Sequence, residues 1–486
     1  MNLFTYRQFR QLSLISVLLL LAGCQKKISG GDIPRVTPPK PEPIKTDVAF
    51  YLTTGDRSSQ FSKQNISLLF SNASTPNSTI EVDETKTYQT IDGFGYTLTG
   101  GSASLINSLP IGAKESLLKE LFLTDSTHIG VSYLRISVGA SDLSAVPFTY
   151  DDMSAGETDA TLNNFNLDRE RSDLIPILKQ IIALYPDIKI MGSPWTAPPW
   201  MKSNNSFIGG KLKSEYYNVY ARYLVKYIEA MKAEGITIDA LTPQNEPLHD
   251  GNNPSMLMLA SEQADFIKNH LGPAFEAANI KTKIIIYDHN ADKPEYPISV
   301  LNDPQANKYI DGSAFHLYGG EISALSTVHN AHPDKGIYFT EQWVGGPGNF
   351  AGDLQWHVQN LIIGATRNWS RNVLEWNLAA DQNYRPHTNG GCTNCLGAIT
   401  IANNTVTRNV AYYIIAHASK FVRPGSVRIE SNNLASLQNV AFKTQDGKKV
   451  LIVLNTGSSA QTFNIKTNGK SVSSTLPNGA VGTYVW

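Results

Sequence analysis

The chain of 486 residues is 41% hydrophobic and carries a formal net charge of −1. This length can bury a sizeable core and predicts about two domains. The near-neutral charge excludes the electrostatic pattern by which proteins attract nucleic acid, and no nucleic-acid partner is expected.

Residues 1–24 predict a lipoprotein signal peptide. Arg7 and Arg10 precede an apolar run that is short for a bilayer span and ends at "LAGC". Resemblance to the bacterial lipobox implies that Cys24 becomes the acylated N-terminus. The alternative is an uncleaved helical anchor. Both alternatives place the body of the protein outside the cytoplasm. It is expected to be anchored to a membrane, in the periplasm, at the outer membrane or at the cell surface.

Residues 25–47 predict a flexible linker, because they are rich in Pro and Lys and contain no aromatic residue. Residues 48–87 alternate apolar and polar side chains and predict strands. Residues 423–486 alternate in the same way, with Asp-Gly, Thr-Gly and Asn-Gly turns that are typical of antiparallel hairpins. The two ends of the chain are therefore expected to form one β-sandwich.

Residues 88–422 alternate short apolar runs with helical stretches, which predicts a parallel sheet and favours a (β/α)₈ barrel of the TIM type. One helical stretch, "SEYYNVYARYLVKYIEAMKAEG", carries Tyr220, Leu224, Tyr227 and Met231 at helical spacing, and Gly235 ends it. The eight candidate strands are "TYQTIDGFG", "VSYLRISVG", "DIKIMGSPW", "IDALTPQNE", "KIIIYDHN", "GSAFHLY", "GIYFTEQW" and "RNVLEWNLA".

Side chains that can bind or react follow most of these runs, at the strand ends where such barrels carry their sites. A lone strand-end Trp is usually a core residue. Independent packing needs would not, however, concentrate so many reactive groups at one end of the strands. They are Asp142, Trp195, Asn245, Glu246, Asp288, His289, His316, Tyr318, Glu341 and Trp376.

Glu246 ends the fourth run and Glu341 the seventh, so both can project into one cleft from nearly opposite walls. Such a pair suits glycoside hydrolysis, which needs one carboxyl to protonate the leaving oxygen and another to attack the anomeric carbon. No metal or organic cofactor is required. Candidate sugar-binding groups are the hydroxyl binders Asp142, Asn245 and His316 and the aromatic rings of Trp195, Trp200, Tyr318, Trp343 and Trp376.

Successive motifs resemble glycoside hydrolase family 30, which contains glucosylceramidases and endo-β-1,6-glucanases. They are "QTIDGFGYTLTGGSA", "YLRISVGASDLS", "GSPWTAPPWMK", "TPQNEP", "FHLY", "FTEQW" and "LEWNLA". The resemblance implies a (β/α)₈ barrel with a β-sandwich built from both termini, and a retaining mechanism. It implies Glu246 as acid/base and Glu341 as nucleophile. The implied glycone subsite consists of Asp142, Trp195, Asn245, His316, Tyr318 and Trp376.

A retaining enzyme needs its carboxyl groups about 5 to 5.5 Å apart. Across that distance, the charge of Glu341 is expected to raise the pKa of Glu246 and keep the acid protonated. Gln342 and Trp343 after the nucleophile differ from mammalian glucosylceramidases, which weakens the assignment of glucosylceramide as substrate. A lipid-tethered bacterial protein is expected to meet polysaccharide, so β-1,6-linked glucan is favoured, with glucosylceramide as the alternative. A non-catalytic surface glycan-binding lipoprotein is the alternative from another class. We expect a monomer.

Cys392 and Cys395 share a spacing with redox motifs, zinc half-sites and small disulfide loops. Zinc would need two more ligands, and the nearby candidate is His387. An extracytoplasmic location favours a disulfide.

Overall fold

The structure is a computed structural model that describes residues 44–73 and 75–486. The predicted signal peptide with Cys24, and the linker up to residue 43, lie outside the described residues. In the described part of the chain, no helix combines the length and apolar character needed to cross a membrane.

Eight parallel strands form a closed barrel, and each overlaps one of the eight predicted runs. Neighbouring strands follow chain order, and the eighth pairs with both the seventh and the first. The prediction of a (β/α)₈ barrel is therefore confirmed. The strands are Gly93–Thr97, Tyr133–Val138, Lys189–Pro194, Ala240–Leu241, Lys283–Ala291, Ile310–Gly320, Gly336–Glu341 and Ser370–Asn377.

Helices pack around the barrel strands. Tyr217–Ala233 buries the four predicted residues Tyr220, Leu224, Tyr227 and Met231. It is followed by Gly235 at φ +82°, where glycine suits a helix end. The other α-helices are Gly100–Ser108, Ile111–Phe122, Leu174–Leu184, Ala260–Phe266, Gly272–Ala277, Glu295–Leu301, Pro304–Asn307, Ala324–Ala331, Phe350–His357 and Val410–Ser419. Ile267–Leu271 and Val358–Ala365 are π-helical, and Asp168–Arg171, Pro199–Met201 and Ser214–Tyr216 are 3₁₀ turns.

Strands from both ends of the chain form the predicted β-sandwich, which confirms this part of the fold. Ala49–Thr53 pairs with Val481–Val485. Ser78–Thr90 pairs in its first half with Gln461–Thr467 and in its second half with Val427–Ser431, so it joins the two sheets. The predicted barrel boundary at residue 88 falls inside this strand. The remaining sandwich strands are Ser62–Lys63, Leu437–Lys443, Lys449–Asn455 and Lys470–Leu476.

The sandwich has its own apolar core and also packs against the barrel. Phe50, Ile80, Leu451 and Phe463 are among the residues buried between its sheets. On the other face, Phe442 contacts Phe94 of the first barrel strand, with ring centroids 6.4 Å apart. These contacts make the sandwich and barrel one packed body.

The base of the barrel is filled by an apolar layer, here called the lower layer. Its members come from the second to the eighth strands, one from each. They are Tyr133, Met191, Ala240, Ile285, Ala314, Tyr338 and Leu374. Because side chains alternate along a strand, the next inward position lies two residues further toward the carboxyl end.

Short strands form the rim at the carboxyl ends of the barrel strands. Val344–Gly345 pairs with Cys395–Leu396. Ala379–Ala380 pairs with Ile399–Ala402, which also forms an antiparallel hairpin with Thr405–Arg408.

Candidate active site

A polar layer, here called the upper layer, lies directly above the lower layer. On six strands its members follow the lower-layer residues by two positions, as the strand period requires. The fifth strand contributes a residue three positions further on. The members are Arg135, Ser193, Thr242, Asp288, His316, Thr340 and Trp376.

A bulge in the fifth strand turns Asp288 inward. Tyr287 pairs with Ala314 and His289 with Phe315, so Asp288 is the extra residue. Tyr287 and Asp288 have backbone φ angles of +73° and +60°, which residues other than glycine rarely adopt. Such bulges re-aim side chains near active sites.

Asp288 is the centre of the buried hydrogen-bond network. Its carboxylate accepts bonds from the guanidinium of Arg135 at 2.8 Å and from three hydroxyls. The imidazole Nε2 of His316 lies 3.1 Å from the same carboxylate. The hydroxyl donors are Ser193, Thr242 and Thr340. Five donors thus hold one carboxylate. Burial raises the pKa of Asp288, but Arg135, His316 and Ser193 lower it by more, so that it lies well below the ordinary value.

Glu341 lies at the end of the seventh strand and is held by two donors. Arg135 donates to its Oε2 at 2.6 Å, and the hydroxyl of Tyr318 donates to Oε1 at 3.0 Å. Arg135 also donates to Oδ1 of Asn245 at 2.5 Å, which fixes the residue before Glu246. The completely buried guanidinium therefore orients groups on both sides of the site.

Glu246 faces Glu341 from the loop after the fourth strand. Its φ is +45°, and its backbone N–H donates to the carbonyl of Asp288 at 2.9 Å. Its Oε1 lies 3.0 Å from Nδ1 of His316. Carboxylate oxygens of Glu246 and Glu341 lie within 4.8 Å of each other. This spacing is shorter than the roughly 6.5 to 9.5 Å typical of inverting enzymes and suits direct attack by one of the carboxyl groups.

His316 changes the expected ionisation of this pair. Burial raises the pKa of Glu246, but the imidazoles of His289 and His316 lower it by more. The expectation that the charge of Glu341 raises the pKa of Glu246 is therefore wrong for the free protein. Burial lowers the pKa of His316, but Glu341, Asp288 and Glu246 raise it to about 9. At neutral pH one proton is held between His316 and Glu246.

The pKa of Glu341 is raised. Burial is the main cause, and Glu246 and Asp288 add to it, while His316 and Arg135 act in the opposite direction. Each oxygen of Glu341 nevertheless accepts one hydrogen bond, Oε2 from Arg135 and Oε1 from Tyr318. These two bonds stabilise the ionised form of the carboxyl group.

Glu246, His316 and Glu341 form the one group of ligand-type side chains, among the described residues, that could hold a metal ion. Their inward-facing atoms are already bonded to one another, to Arg135 or to Tyr318. The donor set is therefore accounted for by the hydrogen-bond network.

The predicted aromatic residues take different positions around the carboxylates. Trp195 and Trp376 stack on each other with ring centroids 5.4 Å apart and are 2% and 3% exposed. Each indole thus covers much of the face that the sequence analysis assigned to a sugar. Tyr318 is 40% exposed, and Trp343 is partly buried against the Trp195–Trp376 pair.

Trp200 is not at the site. It is buried in the core around the barrel, donates its indole N–H to the carbonyl of Asp151 and contacts Tyr216 edge to face. Its candidacy as a sugar-binding ring is therefore wrong. Trp200 and Trp195 share the same strand-end motif, but the Pro199–Met201 turn carries Trp200 away from the cleft.

Asp142 lies beside the stacked indoles. Its carboxylate is buried and accepts the backbone N–H of Cys392 at 3.2 Å. Burial raises its pKa to about 7, and the charges of Glu341 and Glu246 contribute.

Cys392 and Cys395 are joined by a disulfide. His387 instead directs Nδ1 to the carbonyl of Thr388.

Of the ten residues predicted to be catalytic or sugar-binding, the structure brings nine, all but Trp200, to one end of the barrel. The motifs did not predict Arg135 or the hydroxyls of Ser193, Thr242 and Thr340, and they gave Asp288 no specific role. A charged residue within the apolar run "YLRISV" was the available signal for Arg135, because an unpaired buried cation is costly.

Comparison with protein-family models gives two matches. The model described as "Glycosyl hydrolase family 30 TIM-barrel domain" matches residues 91–422. The model described as "Glycosyl hydrolase family 30 beta sandwich domain" matches residues 425–484. Together they cover the barrel and the C-terminal part of the sandwich.

Individual proteins are similar over most of their length. "Endo-1,6-beta-D-glucanase neg1" of Aspergillus fumigatus is 35% identical over 84% of this chain and 87% of its own. "Putative glucosylceramidase 1" of Caenorhabditis elegans is 32% identical over 78% and 76%. The solved structure of the endo-beta1,6-glucanase BT3312 is 35% identical, with a TM-score of 0.85 over 91% of this chain and 99% of that one.

Proposed function

The chain belongs to glycoside hydrolase family 30, and from this premise we propose that it hydrolyses β-1,6-linked glucan with retention of the anomeric configuration. Membership of the family makes it a glycoside hydrolase and confirms the resemblance seen in the sequence motifs. The observation that carries the retaining mechanism is the spacing of Glu246 and Glu341, whose carboxylate oxygens lie within 4.8 Å.

In the first step, Glu341 attacks the anomeric carbon and forms a glycosyl ester, while the bond to the leaving oxygen breaks. Glu246 delivers the proton to that oxygen. The proton held between His316 and Glu246 supplies it, because transfer from the imidazolium to the carboxylate regenerates the acid. Asp288 holds the other nitrogen of the imidazole and so keeps it in place for the transfer.

In the second step, Glu246 accepts a proton from water, which attacks the ester and releases the sugar with its original configuration. Arg135 and Tyr318 stabilise the departing carboxylate of Glu341 by the two hydrogen bonds that they make to it in the free protein. The two displacements together invert the anomeric carbon twice.

The glycone binds among Asp142, Asn245 and the edges of the Trp195–Trp376 pair. Arg135 occupies Oδ1 of Asn245, which leaves the amide N–H₂ to donate to a sugar hydroxyl. Tyr318 and Trp343 offer accessible aromatic surface next to the carboxylates and are positioned to contact the sugars that leave.

β-1,6-Glucan is supported as substrate by the glucanases among the relatives and by the similar solved structure. The glucanases of Aspergillus fumigatus and Neurospora crassa are 35% and 37% identical to this chain. Glucosylceramide is the second candidate, because proteins named as putative glucosylceramidases reach 32% identity. A chain that only binds glycans would not need two oriented glutamates and a proton store.

Hydrolysis of pustulan, glucosylceramide and an aryl β-glucoside distinguishes these candidates. We expect pustulan to release oligosaccharides whose new reducing ends have the β configuration. Proton NMR recorded before mutarotation measures that configuration. Turnover of glucosylceramide but not pustulan would replace the proposed substrate. Binding of pustulan without hydrolysis of any of the three would overturn the enzymatic proposal.

We also propose that Cys24 carries a lipid that tethers the chain to a bacterial membrane outside the cytoplasm. The support is the lipobox-like "LAGC" after Arg7, Arg10 and an apolar run. Metabolic labelling with a fatty-acid analogue should mark the wild-type chain and not Cys24→Ser. Equal labelling of both would contradict lipidation at this residue.

A further inference from the structure

The loop of residues 387–396, here called the disulfide loop, contacts three other segments at the barrel rim. Thr388 donates its backbone N–H to the carbonyl of Asp142 at 2.8 Å. Asn253, after the fourth strand, donates to the carbonyl of Asn389 at 2.9 Å. Cys395 pairs with Gly345, which follows the seventh strand. The loop thus joins segments that follow the strands bearing Asp142, Glu246 and Glu341.

The disulfide loop also contacts the side chain of Asp142. Cys392 donates its backbone N–H to Oδ2, and among the described residues this is the one hydrogen bond to that carboxylate from another residue. A Cβ added to Gly391 would lie 2.4 Å from the carbonyl oxygen of Asp142. The backbone of the disulfide loop is therefore packed directly on the segment it orients.

The other half of the disulfide packs on the aromatic side of the site. Cys395 is buried in one cluster with Leu143, Trp195 and Trp376, and Cys392 is partly buried against the same cluster. The two sulfur atoms therefore connect the donor to Asp142 with the residue that packs on the stacked indoles.

We propose that Cys392 and Cys395 are positioning residues for glycoside hydrolysis, because their disulfide holds the Cys392 N–H on Asp142. This inference rests on the proposed function, in which Asp142 binds the glycone. Cys392 follows Gly390 and Gly391, and glycines leave the backbone unusually free unless it is tied. Closing the four-residue segment restricts that freedom where the donor must stay.

A double-mutant cycle tests this coupling. It compares the wild type, Cys392→Ser/Cys395→Ser, Asp142→Asn and the combined variant, with an aryl β-glucoside as substrate. We expect loss of the disulfide to lower kcat/KM about tenfold when Asp142 is present, the order of effect of one hydrogen bond, mainly through KM. In the Asp142→Asn background the same loss should be less than about twofold.

The contrary results are distinct. An equal factor in both backgrounds would show that the disulfide acts independently of Asp142. A lower melting temperature with unchanged kcat/KM per folded molecule would show that it only stabilises the fold. Either result overturns the proposal.

Reduction of the wild type offers a matched control. A phosphine reductant should lower its kcat/KM to that of Cys392→Ser/Cys395→Ser and leave that variant unchanged. A wild type that loses its disulfide without loss of kcat/KM would overturn the proposal. A wild type that is inactive on every glucoside would instead overturn the proposed function. The double-mutant cycle would then be measured by the calorimetric affinity of each variant for 1-deoxynojirimycin, a basic glucose analogue.

Discussion

The lower and upper layers of the barrel interior are built by the same strands and have opposite chemistry. The second strand places Tyr133 in the lower layer and Arg135 in the upper, and the sixth places Ala314 and His316. The lower layer is held by apolar packing, whereas the upper layer is held by donors that converge on Asp288. On one strand, the residue in the lower layer thus contributes packing, and the residue two positions further on contributes to the active site.

The cost of that arrangement is visible in the backbone. The strand pattern that supplies the lower layer would place Tyr287 in the upper layer, and a bulge with positive φ is needed to bring in Asp288 instead. Strain of this kind persists only where surrounding contacts determine it, here the five donors to the carboxylate.

The largest expected effect is on the two glutamates above the upper layer. Glu246→Gln and Glu341→Gln should each lower kcat by ~10² to 10⁴ or more, because general acid or nucleophilic help is lost. Melting temperature should change little in Glu246→Gln, since the amide preserves shape, and should fall in Glu341→Gln, which removes one charge from a buried pair with Arg135. Glu321→Gln, at an exposed position after the sixth strand, is the matched control and should keep full activity.

Azide assigns the roles of the two glutamates. An alanine variant at Glu246 should be rescued on a substrate with a good leaving group and give a β-glycosyl azide. A rescued alanine variant at Glu341 should give the α-azide. Exchange of these products would reverse the assignment.

Asp288→Asn should impair both properties. Removing one charge from a buried pair costs about 3 to 5 kcal/mol of unfolding free energy, because Arg135 loses a compensating partner. Misplacement of Arg135 and His316 should also lower kcat/KM by about 10²-fold. Denaturant unfolding and kinetics measure the two effects. Asp292→Asn, an exposed control on the same segment, should stay within about 0.5 kcal/mol of wild type.

Leu374→Ala in the lower layer should affect stability alone. Loss of a buried leucine side chain costs about 2 to 5 kcal/mol. Because no upper-layer hydrogen bond depends on it, kcat/KM per folded molecule should stay within about twofold of wild type. A large fall in kcat/KM at full folding would show that the two layers are coupled and end the distinction between them.

The smallest effect at working pH concerns the shared proton. Because the pKa of His316 is raised to about 9, the His316–Glu246 pair keeps its proton below that pH and loses it above. kcat/KM should therefore fall on the alkaline side by about tenfold per pH unit. The acid limb should lie above the ordinary carboxyl range, since the pKa of Glu341 is raised and it must ionise to attack.

The substrate provides the control for this profile. A dinitrophenyl β-glucoside, whose leaving group needs no proton, should lose the alkaline limb while keeping the acid limb. An alkaline limb that is equal for both substrates would show that the proton does not serve the leaving group.

Local sequence patterns were enough to predict the eight strands, the helical stretches between them and the position of both glutamates at the carboxyl side of their strands. Apolar runs and helical spacing are local signals, and the order of eight alternating elements predicts a parallel sheet and favours a barrel. The motifs around Glu246 and Glu341 were local as well, so they could be recognised without knowing what faced them.

The way the site is held depends on contacts that form only when the chain folds. Arg135 and Glu341 are 206 residues apart in sequence and meet because the barrel closes. The inward turn of Asp288 depends on a bulge, the pKa of Glu246 on an imidazole from another strand, and the burial of Trp200 on a single 3₁₀ turn. A sequence pattern predicts the face of a strand, whereas burial, ionisation and hydrogen bonding depend on what lies across the interior.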